Sequence, residues 1–240
     1  MDFGKAFTYV FDDPDWLKKI GIAGAIALGS MLLSIIIVGI AGFIVLAGWM
    51  LEIVRRVINR DPRPLPEWDD FGGYFSKGIK AFVVGLVYSL PLILVNVCIQ
   101  IIPLIVAGGG DPSSDAAGAM AGGIAALSIC LGCFSFIYSL LMAAVLPAAM
   151  GQLAVTGEMG SAFRFGEIIA MVRGNLGAYV MVVLGTLVAQ IVASLGIIAC
   201  GIGFAFTTAY AMAVQGHLYG QAYLASNRPA APAPVPGSWQ

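Results

Sequence analysis

The sequence predicts an all-α membrane fold: a polytopic bundle of about six transmembrane helices in three hairpins, with amphipathic helices lying in the interface. Three observations carry that expectation. Of 240 residues, 60% are hydrophobic and only 10% are charged, whereas soluble domains carry roughly a quarter charged residues. Several stretches run for about twenty residues without a charge, long enough to cross the hydrocarbon of a bilayer. The lysines and arginines, finally, fall into groups that an even number of crossings brings to one side of the membrane. The net charge of −1 singles out no class of partner, and nothing in the composition supports nucleic-acid binding.

From the N-terminus, residues 1–20 contain Asp2, Lys5, Asp12, Asp13 and Asp15 and lack the basic, apolar and small-residue segments of a cleaved signal peptide. The N-terminus is therefore expected to remain. Apolar runs mark six candidate spans, near 17–38, 42–58, 80–106, 122–147, 176–195 and 202–224. Residues 20–51 form one uncharged stretch that a single long helix could also fill. Gly39 and Gly42 suggest a break there, and the basic residues favour it.

With six spans, all twelve lysines and arginines fall on one face, where such residues are retained on the cytoplasmic side. Lys5, Lys18 and Lys19 precede or open the first span. Arg55, Arg56, Arg60, Arg63, Lys77 and Lys80 lie at or between the facing ends of the second and third. Arg164 and Arg173 lie between the fourth and fifth, and Arg228 follows the sixth. The opposite face keeps Asp111 and Asp115, in the Gly/Ser/Asp-rich loop 107–121, and two glycine turns. Merging the first two spans would put basic clusters on both sides. The expected location is the plasma membrane, with both termini in the cytoplasm.

A Phe-Gly pair stands before each hairpin, at Phe3-Gly4, Phe71-Gly72 and Phe165-Gly166. It divides a single transmembrane domain, 1–225, into three units, roughly 1–60, 65–157 and 158–225. In the second unit Phe71, Phe75, Ile79 and Phe82 recur at helical spacing while Ser76, Lys77 and Lys80 fall elsewhere, the pattern of a helix lying in the interface over 69–82. The third unit repeats it, with Phe165, Ile168, Ile169 and Val172 against Arg164, Glu167 and Arg173. Residues 226–240 are rich in proline and alanine and are expected to form a flexible cytoplasmic tail, as a linker in preference to a polyproline docking strip.

Few residues suggest chemistry. Cys98, Cys130, Cys133 and Cys200 lie in apolar stretches, and the Cys130/Cys133 pair lacks the further ligands of a metal site, so packing is the expected role. Glu52, the one acid within a span, is expected to pair with Arg56 four residues on. His217 has no carboxylate or cysteine at ligand spacing and is expected to hydrogen-bond between helices. Asn96, Gln100, Gln152, Gln190, Gln215 and Gln221 either line a polar path or bond neighbouring helices. Pro91, Pro103 and Pro147 either interrupt helices, as in carriers, or merely kink them. Gly216 with Gly220, and Ala119 with Gly123, are candidate close contacts between helices. Asp69 or Asp70 should cap the helix from Phe71, with Trp68 anchored at headgroup depth.

The run Leu65-Pro66-Glu67-Trp68-Asp69-Asp70-Phe71, followed by Gly72, Phe75, Gly78, Lys80 and Ala81, resembles domain-of-unknown-function family 4013. Asp15-Trp16, Lys19 and Arg55-Arg56 extend the resemblance, which covers about 7–223. It implies a bacterial or archaeal multi-pass membrane protein and supplies no activity and no site residues. Loop 107–121 and the proline-rich tail look peculiar to this chain.

The leading expectation is a non-catalytic scaffold, accessory subunit or lipid-associated component, with membrane lipids and other membrane subunits as partners. Its candidate contacts are Arg55, Arg56, Trp68, Lys77, Lys80, Arg164 and Arg173. The alternative is a permease or flippase-like transporter of a neutral or amphipathic substrate, with Asn96, Gln100 and Gln190 along its path. No nucleophile and base can be assembled, so no catalytic, cofactor or metal residue is assigned.

Overall fold

The uncharged stretch 20–51 divides into two helices in the computed structural model of the chain, which describes residues 1–33, 37–107, 115–199 and 202–227. Eight α-helices occur among these residues: α1 (Phe3–Asp12), α2 (Trp16–Leu32), α3 (Ile37–Ile58), α4 (Phe71–Ala107), α5 (Asp115–Thr156), α6 (Phe165–Gly174), α7 (Leu176–Leu195) and α8 (Ile202–Ser226). Short 3₁₀ turns cover Met159–Phe163 and Gly196–Ala199. Asp111, Cys200, Arg228 and the proline-rich segment of the tail lie outside the described residues.

The break between α2 and α3 comes earlier than Gly39 and Gly42 suggest. Both glycines sit inside α3 and let it fold back closely on α2. The Gly39 amide donates to the Leu33 carbonyl at 3.2 Å, and a Cβ on Gly39 would lie 2.6 Å from both that carbonyl and that of Ser30.

Each Phe-Gly pair opens a helix, α1, α4 and α6 respectively. Asp2 and Asp70 cap the first two, accepting from the amides of Lys5 (3.0 Å) and Gly73 (2.8 Å). In the first and third units the short helix ends before the apolar one begins, at Pro14 and at Asn175. The second unit departs from expectation, because no such residue separates 69–82 from the apolar run. The two fuse into one 37-residue helix, about 55 Å long. Helices α4 and α5 also run unbroken through Pro91, Pro103 and Pro147.

Four long-range hydrogen bonds show how the helices are returned. The Asp2 amide donates to Gln221 Oε1 (2.9 Å), Lys19 Nζ to the Leu65 carbonyl (3.2 Å), Lys80 Nζ to the Gly157 carbonyl (2.7 Å) and Asn175 Nδ2 to the Ala225 carbonyl (3.0 Å). These bonds gather the N-terminus, the 59–70 segment, the turn after α5, the α6–α7 junction and the end of α8 at one end. The pairs α2/α3, α4/α5 and α7/α8 each leave that end and come back to it.

The bundle is apolar on the outside. Helices α3 and α8 lie at the centre, where Trp49, Ile53, Val54, Val214 and Leu218 are fully buried. Gly216 and Gly220 bring α8 against Ile53 and Val57 of α3, as their spacing suggests. Gly123 faces open space instead. Three helical segments, Phe71–Ile102, Gly122–Thr156 and Leu176–Ile198, are long and apolar enough to cross a membrane. Only 11%, 6% and 28% of their most apolar stretches are buried within the chain. Leu94, Ile129, Phe136, Ile137 and Ile191 are 57–67% exposed. Soluble monomers rarely leave apolar patches beyond a few hundred Å² bare, and hydrocarbon is the solvent that suits this one.

Helices α2, α3 and α8 coincide with the other three expected spans. By length and apolarity they differ, however: α2 has 17 residues, α3 carries Glu52, Arg55 and Arg56 in its last two turns, and α8 contains His217. The described helices thus include three, not six, that qualify on length and composition alone. The cysteines also depart from expectation. Cys98, Cys130 and Cys133 are exposed on α4 and α5, because the distal halves of these helices touch little else in the chain.

Candidate functional site

The site is set by a close crossing of α3 and α4. A Cβ on Gly48 would lie 1.8 Å from the Tyr74 carbonyl oxygen, and one on Gly78 would lie 1.8 Å from that of Ile44. The two backbones therefore touch through paired glycines. Glu52 follows Gly48 by one helical turn and Lys77 precedes Gly78, so the crossing puts this carboxylate and this ammonium face to face. A Cβ on Gly73 would lie 1.9 Å from the capping Asp70 carboxylate, so a side chain there would displace the cap.

Glu52 is only 3% exposed and is held from three sides. Arg55 donates to both of its oxygens, from Nε at 2.9 Å and from Nη2 at 2.5 Å. Lys77 Nζ donates to Oε2 at 2.8 Å and Arg56 Nε to Oε1 at 3.4 Å. The Arg56 pairing expected from sequence is thus the longest of the set. A carboxylate withdrawn from water needs such partners, and the charge-assisted, two-pronged Arg55 contact is the strongest kind. Beside Glu52 opens a cleft of about 240 Å³, lined by Leu51, Glu52 and Arg55 of α3, Lys77 and Lys80 of α4, and residues 153–157.

A second ionic cluster locks the start of α2 to the segment before α4. Lys19, 3% exposed, reaches Asp13 at 2.8 Å and Glu67 at 2.6 Å. Trp68 closes this corner. Its Nε1 donates to the Lys19 carbonyl at 2.9 Å, and its ring stacks on Trp49 at 5.3 Å with Tyr74 edge-on at 5.6 Å. The Tyr74 hydroxyl donates to the Glu67 carbonyl. Trp68 is partly buried among α2, α3 and α4.

The remaining sequence candidates lie apart. Arg164 and Glu167 pair at 3.4 Å, both well exposed, and Arg173 is exposed in the last turn of α6. Among the seven candidate contacts, the structure brings Arg55, Arg56 and Lys77 onto Glu52 and sets Lys80 beside them. Trp68 stands on the neighbouring corner.

A further cleft, about 350 Å³, lies between α1, the 59–64 segment and α8, with Lys5, Tyr9, Arg60, His217 and Gln221 in its lining. His217 stacks on Tyr9 at 4.3 Å and its Nδ1 lies 3.2 Å from Gln221 Nε2, so its hydrogen bond is within α8 and its interhelical contact is the ring. The Tyr9 hydroxyl donates to the Ala213 carbonyl at 2.9 Å. Burial, helped by neighbouring Tyr210, pushes the Tyr9 phenol well above its usual value. The amides divide. Gln152 accepts from the Tyr223 hydroxyl and Gln221 joins α8 to Asp2, whereas Asn96, Gln100 and Gln190 are exposed, Asn96 donating to the Leu92 carbonyl of its own helix.

What the sequence did not reveal is the partnership of residues distant along the chain, Glu52 with Lys77 and Lys19 with Glu67. The one available signal was the pair Gly48 and Gly78, whose meaning depends on the helices being neighbours. A family model described as "Protein of unknown function (DUF4013)" matches residues 31–202, well over half of the chain. The chain belongs to the DUF4013 family. The DUF4013 match is narrower than the resemblance suggests. It contains α3 to α7 and every residue lining the Glu52 cleft, and it leaves out α1, nearly all of α2 and all but the start of α8. No curated protein and no solved structure matches the chain.

Proposed function

We propose that this DUF4013 chain is a non-catalytic component of the plasma membrane that crosses it six times, keeps both termini in the cytoplasm and works through its cation-rich end. In this reading it is a lipid-associated accessory or scaffold subunit. The observation that carries the proposal is the placement of cations around the returning ends of three hairpins whose outer helices are apolar. Lys5 and Arg60, far apart in sequence, line one cleft, and Lys80 reaches the turn after α5.

The polar groups of α3 and α8 do not speak against six crossings. Ionisable residues within membranes face the bundle interior and pair there, and Glu52 and His217 are buried in this way. Helices α4, α5 and α7 supply much of the lipid-facing surface around them. A permease reading draws little support, because Asn96, Gln100 and Gln190 line neither of the two clefts described above.

Purification of the full chain in mild detergent, followed by mass spectrometry of everything that accompanies it, tests the proposal. Co-purifying lipid or a companion membrane protein is expected. A lone, lipid-free protein that increases solute flux into proteoliposomes would overturn it.

A further inference from the structure

We infer that the Glu52 cleft binds the phosphate ester of an anionic lipid, with Arg55, Lys77 and Lys80 holding the phosphate and the acyl chain running along α4 past Val87 and Leu94. This rests on the membrane reading above and names the ligand of that cation-rich end.

Charge is the first ground. The lining holds three cations, Arg55, Lys77 and Lys80, against one carboxylate, Glu52, so the cleft has positive charge left over after its internal pairing. Glu52 engages two of the five N–H donors of Arg55, one of the three of Lys77 and none of Lys80, whose recorded bond is to the Gly157 carbonyl. The remaining donors suit an acceptor with several oxygens. Arginine and lysine together are the usual phosphate holders, the first as a planar fork and the second as a point charge. Glu52 acts here as a positioning residue: it fixes Arg55 and Lys77 without neutralising the group.

Shape and surroundings make the phosphate a lipid's. The other walls are the apolar Leu51, Leu153, Ala154 and Val155, with Thr156 and Gly157 at the turn after α5. The volume of about 240 Å³ is below the ~300–1,000 Å³ of clefts that enclose whole drug-sized ligands, so it suits a headgroup whose remainder lies outside. Lys80, Val87 and Leu94 recur every seven residues and so share one face of α4. Val87 is 45% and Leu94 57% exposed. That apolar track begins at the cation and runs about 21 Å along the helix, more than half of the ~30 Å hydrocarbon thickness. On the opposite side of α4, Phe75, Ile79 and Phe82 are exposed at the same level as Lys77 and Lys80, which places the cations at the boundary of headgroup and acyl chain.

Native mass spectrometry of the full chain, titrated with phosphatidylglycerol, phosphatidylcholine or inorganic phosphate, tests the assignment. Phosphatidylglycerol is expected to bind in preference to phosphatidylcholine. Replacing Lys77→Gln and Lys80→Gln together should weaken it about a hundredfold, roughly tenfold for each charge-assisted hydrogen bond lost. Lys80→Arg, which keeps the charge, should bind like the parent, and the double glutamine variant should keep the parent's elution volume in detergent, so that its loss of binding is not a loss of fold. Val87→Ser with Leu94→Ser should weaken phosphatidylglycerol and leave inorganic phosphate unchanged. Equal retention of the two lipids, or no effect of the double glutamine variant, would overturn the site. Phosphate binding with no effect of the serine variants would overturn the lipid assignment. If either occurs while another lipid or a companion chain still co-purifies, the site fails and the broader proposal stands.

Discussion

The crossing of α3 over α4 is the contact on which the Glu52 cluster depends, and Gly48→Ala tests it. The added Cβ would lie 1.8 Å from the Tyr74 carbonyl oxygen, where ordinary contact begins at 3.4 Å. The atoms that the new methyl meets are all backbone, so no side chain can swing aside. The helices must separate by roughly 1.6 Å along that line, and the 2.8 Å bond from Lys77 to Glu52 is then stretched past hydrogen-bonding range. Overpacking of this kind costs about 1–3 kcal/mol. The broken ion pair adds at most about 1 kcal/mol, because the Lys77 side chain is 37% exposed and water screens it. The expected loss is roughly 1–4 kcal/mol. Trp49 is next to Gly48 and stacks on Trp68, so indole fluorescence during denaturation in detergent reports on the crossing directly. Gly85→Ala is the control: a glycine inside the facing helix α4, with nothing within 4 Å of the new methyl. Equal stability of the two variants would refute the reasoning.

Three other outcomes follow from the same structure. Lys19→Met should destabilise the chain by about 3 kcal/mol or more, because it strands the buried Asp13 carboxylate; adding Asp13→Asn should recover part of the loss, and a melting temperature equal to the parent's would contradict the buried cluster. Asp70→Ala should cost about 1 kcal/mol through loss of the α4 cap, whereas Asp69→Ala should be near neutral; chemical denaturation of the two variants decides between them. Cys98, Cys130 and Cys133 are exposed on outward faces of α4 and α5, so in native membranes, where hydrocarbon keeps their thiols protonated, a charged maleimide should not label them, and it should do so once the membrane is dissolved in sodium dodecyl sulfate. Labelling by the charged reagent would place those faces in water.

The helices were largely legible in the sequence because apolar runs and breakers are local features. Residues 176–195 and the helix found there coincide, and all three Phe-Gly pairs prove to open helices. The hairpin over 20–51 was legible from the distribution of arginine and lysine, although the glycines that suggested its turn serve the packing of α2 on α3. The second interfacial helix was not separable from the apolar run behind it, since continuity of α4 depends on the absence of a breaker, which periodicity does not weigh. The site was legible only in its inventory. Arg55, Lys77 and Lys80 were recognisable as a basic group, but their arrangement around Glu52 depends on the Gly48–Gly78 contact between helices. Lys19 read as one more basic residue at the membrane edge; its burial between Asp13 and Glu67 depends on the path of a segment with no periodic signal.

The central claim is that three helical hairpins return to one membrane face and collect the cations there. Single cysteines placed at Lys5, Arg60, Gly157 and Ser226 in a background without the native ones, probed with an impermeant maleimide in intact cells and in inverted vesicles, address it most directly. All four positions should react in inverted vesicles and none in intact cells. Reaction of Lys5→Cys and Arg60→Cys from opposite sides would contradict the account.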